Sequence, residues 1–163
     1  MILDLQREAV AGIETSPGEL RTAPVGISKS KHTPPGPHLV ATYLAEFCDH
    51  INDNWHERTA FYLSAYAMWR VNWIHPFTDG NGRTSRALSY ALLSIKLGYL
   101  LPGAPTILQQ IEEDNSHYIM ALELADKAAR EGKEDVDEMK KMIRAMLARQ
   151  LLSVIDAAGP ISN

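Results

Sequence analysis

Thirteen residues near the middle of the chain, Ile74-His75-Pro76-Phe77-Thr78-Asp79-Gly80-Asn81-Gly82-Arg83-Thr84-Ser85-Arg86, gather one His, one Asp, one Asn, two Gly and two Arg. Each residue type suits the handling of a phosphate chain. Gly80 and Gly82 let the backbone approach a ligand and take positive φ. A helix is expected to start near Gly82, where free N–H groups and the helix dipole favour an anion. Arg83 and Arg86 stand at i and i+3, so both guanidinium groups leave one helix face. Asp79 is a hard oxygen ligand of the kind that holds Mg²⁺ against substrate phosphates. His75 alone in the stretch can take up a proton near neutral pH. Taken singly, these features read as a turn, a solvated helix face and a structural His. Within so few residues they point to one site.

The elements on either side must position that site. Residues 54–74 are apolar over most of a helix circumference, through Phe61, Leu63, Ala65, Met68, Trp69, Val71 and Ile74, which suggests a central buried helix whose aromatics belong to the core. Pro76 stops it, because the residue before proline is pushed out of the α region, and His75 is thereby set at a helix end. Residues 83–97 carry the next helical pattern, with Gly98 as C-cap. Further helices are expected over 3–13, 37–52, 107–111, 115–130 and 135–157. The stretch 21–35 differs: Val25 and Ile27 alternate, a polar tip follows, and Pro34-Pro35 close it, so it reads as a small exposed β-hairpin or flap. His32 in that stretch reads as a solvated loop residue. The fold class is all-α with a small β-hairpin flap.

Composition bounds the rest. A chain of 163 residues with 45% apolar and 22% charged residues fits one domain with an ordinary globular core. A net charge of −4 offers no basic footprint for nucleic acid. The lone Cys48 forms no internal disulfide and fits a reducing compartment. No apolar run approaches the roughly 20 residues of a membrane span, and no secretory leader is visible at residues 1–8, so a cytoplasmic location is expected.

Residues 75–86 resemble the signature of the Fic family, His-Pro-Phe-x-(Asp/Glu)-Gly-Asn-Gly-Arg-x-x-Arg, and match it without departure. The resemblance extends over roughly Leu5 to Gln150 and implies one Fic domain over 1–163, complete or a fragment of a longer chain, with its flap at 21–35 and its catalytic loop and helix start at 75–86. It implies a protein adenylyltransferase. His75 would deprotonate a Ser, Thr or Tyr hydroxyl of a target protein, which then attacks the α-phosphate of ATP. Asp79 would hold Mg²⁺. Gly80, Asn81 and Gly82 would form the anion pocket, the Asn81 amide bonding phosphate oxygens. Arg83 would contact the β-phosphate region and Arg86 the γ-phosphate, while Phe77 plugs the core. Val25, Gly26, Ile27 and Ser28 are the flap positions expected to dock an extended segment of the target by strand addition. Tyr118 and Asp126 match positions that approach the nucleoside in relatives, although Asn is common where Asp126 stands.

Many Fic proteins carry an inhibitory helix with Ser/Thr-x-x-x-Glu-(Gly/Asn), whose Glu pairs with the second signature Arg. Here Glu19, four after Thr15, is followed by Leu20; Glu46, four after Thr42, by Phe47; and Glu131-Gly132 has Lys127 at the hydroxyl position. The expectation is an inhibitory segment missing from this chain or a separate antitoxin-like partner, ahead of no such control. Three rival readings stand beside adenylyl transfer. One is a Fic-type transferase with another phosphate-containing donor, although the phosphorylating branch usually has Lys where Gly82 stands. The second is a nucleotide-binding regulatory domain, which would need no general base. The third is a metal nuclease, for which further metal ligands are wanting.

Overall fold

The computed structural model describes residues 1–28 and 30–158. Among them are seven α-helices: α1 (Ile2–Ala9), α2 (Val40–Asp53, entered through a 3₁₀ turn at Pro37–Leu39), α3 (Ala60–Ile74), α4 (Asn81–Leu97), α5 (Ile107–Glu113), α6 (Ser116–Arg130) and α7 (Asp137–Ala158). The central helix is α3. It packs along α4 and against α2, α6 and α7, and eleven of its fifteen residues are buried. Its apolar character on every side is therefore core-forming, as the sequence implies. Where α3 crosses α4, the small residues Ser64 and Ser89 share a buried hydroxyl bond of 2.7 Å, so two polar groups are satisfied at a close helix approach. Met139, Met142, Ile143 and Leu147 of α7 close the other side.

One expectation is corrected, and another is not met by the described residues. α3 starts at Ala60, not near Asn54. The Thr59 hydroxyl accepts the Tyr62 N–H at 3.2 Å and caps the helix, while residues 54–58 form turns behind it. No strand occurs among the described residues, so the β-hairpin expected over 21–35 is not observed among them. Pro24, Pro34 and Pro35 remove three main-chain donors from its arms. A turn bond from Ser30 N–H to Ile27 O, 3.2 Å, marks the tip. No described helix is long and apolar enough to cross a membrane.

Gly80 joins the signature loop to α4 with φ 78°, and a Cβ built there lies 2.5 Å from Val10 Cγ1 of the segment following α1. Gly98 ends α4 with φ 84° and open space around it. Gly80→Ala is expected to cost about 2–4 kcal/mol, combining the left-handed backbone with overpacking. Gly98→Ala should cost only the backbone part, about 1–2 kcal/mol. Denaturant unfolding of the two variants separates these contributions, and equal losses would show that the Val10 contact does not matter.

Candidate active site

The loop between α3 and α4 is built around its own side chains. Asn81 is 3% exposed; its Oδ1 accepts the Phe77 N–H at 2.9 Å and its Nδ2 donates to Phe77 O at 2.8 Å. The Asn81 carboxamide thus closes the loop on itself through Oδ1 and one Nδ2 hydrogen, while the residue also lines the cleft beside His75. Its backbone N–H remains available. The first intrahelical bond at this end of α4 runs from Thr84 N–H to Gly80 O, 2.8 Å, which leaves the N–H groups of Asn81, Gly82 and Arg83 at the open helix end. That end is a ready anion site. Gly80 takes positive φ, but Gly82 lies within the first turn of α4; its missing side chain makes room for Arg86, whose Nη1 would sit 3.2 Å from a Cβ there. Phe77 is fully buried beneath the loop, as a plug.

His75 caps α3 with φ 51° and ψ 60°, the only non-glycine residue with positive φ among those described. This conformation costs of order 1–3 kcal/mol and persists only where the surroundings enforce it. Nδ1 lies 3.2 Å from Asn72 O. A carbonyl can only accept, so Nδ1 carries the proton and Nε2 is left with its lone pair. Burial pushes the imidazole below its usual range; the Asn72 bond opposes this, while the charges of Arg21 and His32 add to it and that of Asp79 counters it. His75 is therefore neutral at pH 7 and competent as a base. The acid limb of any rate that depends on it is expected below about pH 6.5, the ordinary imidazole value. The stability linked to this group is full above that value and is lost as pH falls through the depressed one. A pH–rate profile whose acid limb lies above the ordinary value would contradict this placement.

Two adjoining clefts of about 350 Å³ each meet at His75. One is walled by Gly26, Ile27 and Ser28 of the flap and by the signature loop from Thr78 to Arg83. The other contains Tyr118 and Asp126 of α6 together with Trp73. Ile27, Ser28, Gly82 and Arg86 face both. The structure thus brings together the expected residues except Val25, which lines neither cleft. Several do other work than expected. Arg83 donates to Asp79 Oδ2 at 3.1 Å and to Ala9 O at 2.6 Å, so it braces the loop against α1. Tyr118 accepts an Asn72 Nδ2 bond at 2.9 Å, and its ring lies 5.7 Å from the Arg86 guanidinium, an aromatic rest for that cation. Asp126 accepts the Trp69 indole N–H at 2.9 Å. Asp79 is half exposed, with Oδ1 on the Gly80 N–H at 2.6 Å.

His32 is not a solvated loop residue: its Nε2 lies 2.8 Å from Trp73 O and its ring sits 5.6 Å from the Trp73 ring. Trp73 correspondingly faces a cleft and is not a pure core aromatic. Gln6, nearly fully buried, donates to Asp79 O at 3.2 Å and accepts the Gly18 N–H. Nothing in the local pattern around these residues announces such contacts. A larger groove, about 800 Å³, lies between α1, α2 and α4; Leu44, Phe47, Ile51, Leu88 and Leu92 make it largely apolar, and its charged members Asp4 and Arg7 are paired with each other at 2.8 Å.

Comparison with known proteins places this geometry. The chain is 34% identical over 128 residues to a protein adenylyltransferase Fic of Drosophila willistoni, covering 77% of this chain and 24% of that protein. It is 31% identical over 122 residues to protein adenylyltransferase fic-1 of Caenorhabditis briggsae, covering 72% and 22%. It thus spans about a quarter of the length of these relatives. A Fic family protein from Desulfovibrio desulfuricans G20 has the same fold, with a TM-score of 0.79 at 21% identity over 99% of this chain and 48% of that one. A Fic domain-containing signaling protein from Bacteroides thetaiotaomicron VPI-5482 gives 0.75 at 22% identity over 99% and 64%. The Fic/DOC family model matches residues 1–93, more than half of the chain, and the chain belongs to that family.

Proposed function

We propose that this domain is a protein adenylyltransferase that moves AMP from ATP to a Ser, Thr or Tyr hydroxyl of a target protein. The observation that carries the reading is His75 held neutral, with Nε2 unprotonated, beside the open N-terminus of α4. The names of the relatives support the same reading. Phosphate-transfer chemistry depends chiefly on positioning and charge stabilisation. The target hydroxyl loses its proton to His75 Nε2, its oxygen bonds to the α-phosphorus, and the bond to the bridging oxygen breaks, releasing pyrophosphate. The N–H groups of Asn81, Gly82 and Arg83 receive phosphate oxygens. Arg86, steadied by Tyr118, takes the γ-phosphate and fixes the pose of ATP.

One half-exposed carboxylate at the cleft, beside an anion site, suits Mg²⁺, which characteristically takes one or two carboxylates and completes its shell with phosphates and water. The described residues hold no cluster of three metal-ligating side chains that would serve as a closed metal cage. Asp79 would hold the ion, which supplies neutralisation of phosphate charge when bound, and its Oδ2 would exchange Arg83 for it.

The N–H groups of Val25, Gly26, Ile27 and Ser28 have no main-chain acceptor among the described residues, and these are the groups a target segment would pair with. A carboxylate brought to Arg86 by a separate inhibitory protein, or by a further segment of a longer chain, would compete with the γ-phosphate. The test is incubation with α-³²P-ATP or γ-³²P-ATP, Mg²⁺ and cell lysate. Label entering protein from the α position alone is the expected result. Label from the γ position would signify phosphoryl transfer and overturn the reading.

A further inference from the structure

We infer that Arg21 is the positioning residue that fixes the general base and the flap relative to each other. The inference rests on the role given to His75 above and adds a residue outside the signature. Arg21 is 3% exposed. Its backbone N–H donates to Pro76 O at 2.9 Å, its Nε to His75 O at 2.6 Å and its Nη2 to Ile74 O at 3.3 Å. Three successive carbonyls, on and around the residue with the left-handed backbone, thus converge on one arginine. The same guanidinium reaches both arms of the flap: Nη1 donates to Ala23 O at 3.2 Å and Nη2 to Pro35 O at 2.6 Å.

Chemistry explains why the residue is arginine. The C-terminal carbonyls of α3 lack intrahelical donors and carry the negative end of the dipole, so a buried cation there meets its complement. A planar fork of five N–H donors can serve four carbonyls from two chain segments at once, whereas an ammonium is a compact point charge on a flexible stem. The arms of the flap have no ladder between them among the described residues, so this side chain replaces the ladder. One group therefore sets the backbone of the base and closes the surface expected to present the target.

The experiment compares the unmutated chain with Arg21→Lys and Arg21→Ala. AMP transfer is expected to fall by about 10²-fold in both, the scale of a small misplacement of reacting groups. ATP affinity, by calorimetry with Mg–ATP, is expected to hold, because no Arg21 atom lines either cleft. The ¹H–¹³C resonances of the His75 ring should move, trypsin should cut faster after Lys31, and added guanidinium ion should restore rate to Arg21→Ala. Unmoved resonances, unchanged cleavage or absence of rescue in a folded variant would overturn the inference. Should neither variant fold, the Arg21 Nε–H of the unmutated chain decides: exchange much slower than at exposed Arg7 is expected, and equal exchange overturns it. If the unmutated chain transfers no AMP, the adenylyl-transfer reading fails, while the resonance, cleavage and exchange measurements still decide the role of Arg21.

Discussion

Replacing His75 with alanine is expected to slow AMP transfer by about 10²–10⁴-fold while ATP remains bound. The two halves of this expectation come from different parts of the site. The imidazole bonds only to Asn72 O among the described groups, and it touches neither the open helix end nor Arg86 through a hydrogen bond. Its loss removes the acceptor for the hydroxyl proton and leaves the phosphate cradle in place. The defect should therefore appear in turnover rather than in the binding of ATP. Because the general-base role is carried by a neutral ring, the unmutated rate at pH 7 already represents the competent state. Single-turnover transfer of α-label, beside calorimetric ATP binding, checks both halves. An undiminished rate in the variant would remove His75 from the chemistry. Loss of ATP binding with it would mean that the ring shapes the cradle.

Phe77→Ala is expected to destabilise the fold by about 3–5 kcal/mol, with a fall in Tm of roughly 6–20 °C. Phe77 is fully buried, and its backbone N–H and C=O are both held by Asn81. The rigid carboxamide bridge limits how far the loop can collapse into the space left by the ring. Incomplete collapse is what places large-to-small substitutions at the upper end of their range. Thermal and denaturant unfolding measure the loss. A cost below about 1 kcal/mol, the scale of surface changes, would show that the loop repacks freely.

The parts of the fold legible in sequence are those with local causes. The apolar surround of α3, the proline after His75 and the glycine after Leu97 each act within a turn or two, and α3 and α4 lie where these signals put them, apart from the first turns of α3. That start was itself marked by Thr59, a capping residue directly before the apolar run. Grouping of the signature residues with Tyr118 and Asp126 was legible only through the family resemblance, because α6 carries no local sign of what it faces. Asn81 shows the converse: its type suits a phosphate, yet the chain uses it to close a tight loop. Arg21, Gln6 and His32 escape a local reading because the contacts that tie them to the end of α3 and to the signature loop, His75, Asp79 and Trp73, span 41 to 73 positions, and no periodicity reports such pairings. The alternation of Val25 and Ile27 is weak evidence for a strand by itself, since an isolated two-stranded hairpin is marginal without further strands or a packed face.

α1 has eight residues, too few for a helix that stands alone in water. Its Gln6 and Ala9, with Val10 just beyond, bear on Asp79, Arg83 and Gly80 of the signature loop. The dependence is mutual, since the loop is among the supports that keep α1 folded. Local unfolding of α1 would withdraw the props from the loop without disturbing the core around α3. A nucleotide that stiffens the loop must, by thermodynamic reciprocity, deepen the protection of the α1 amides against hydrogen exchange.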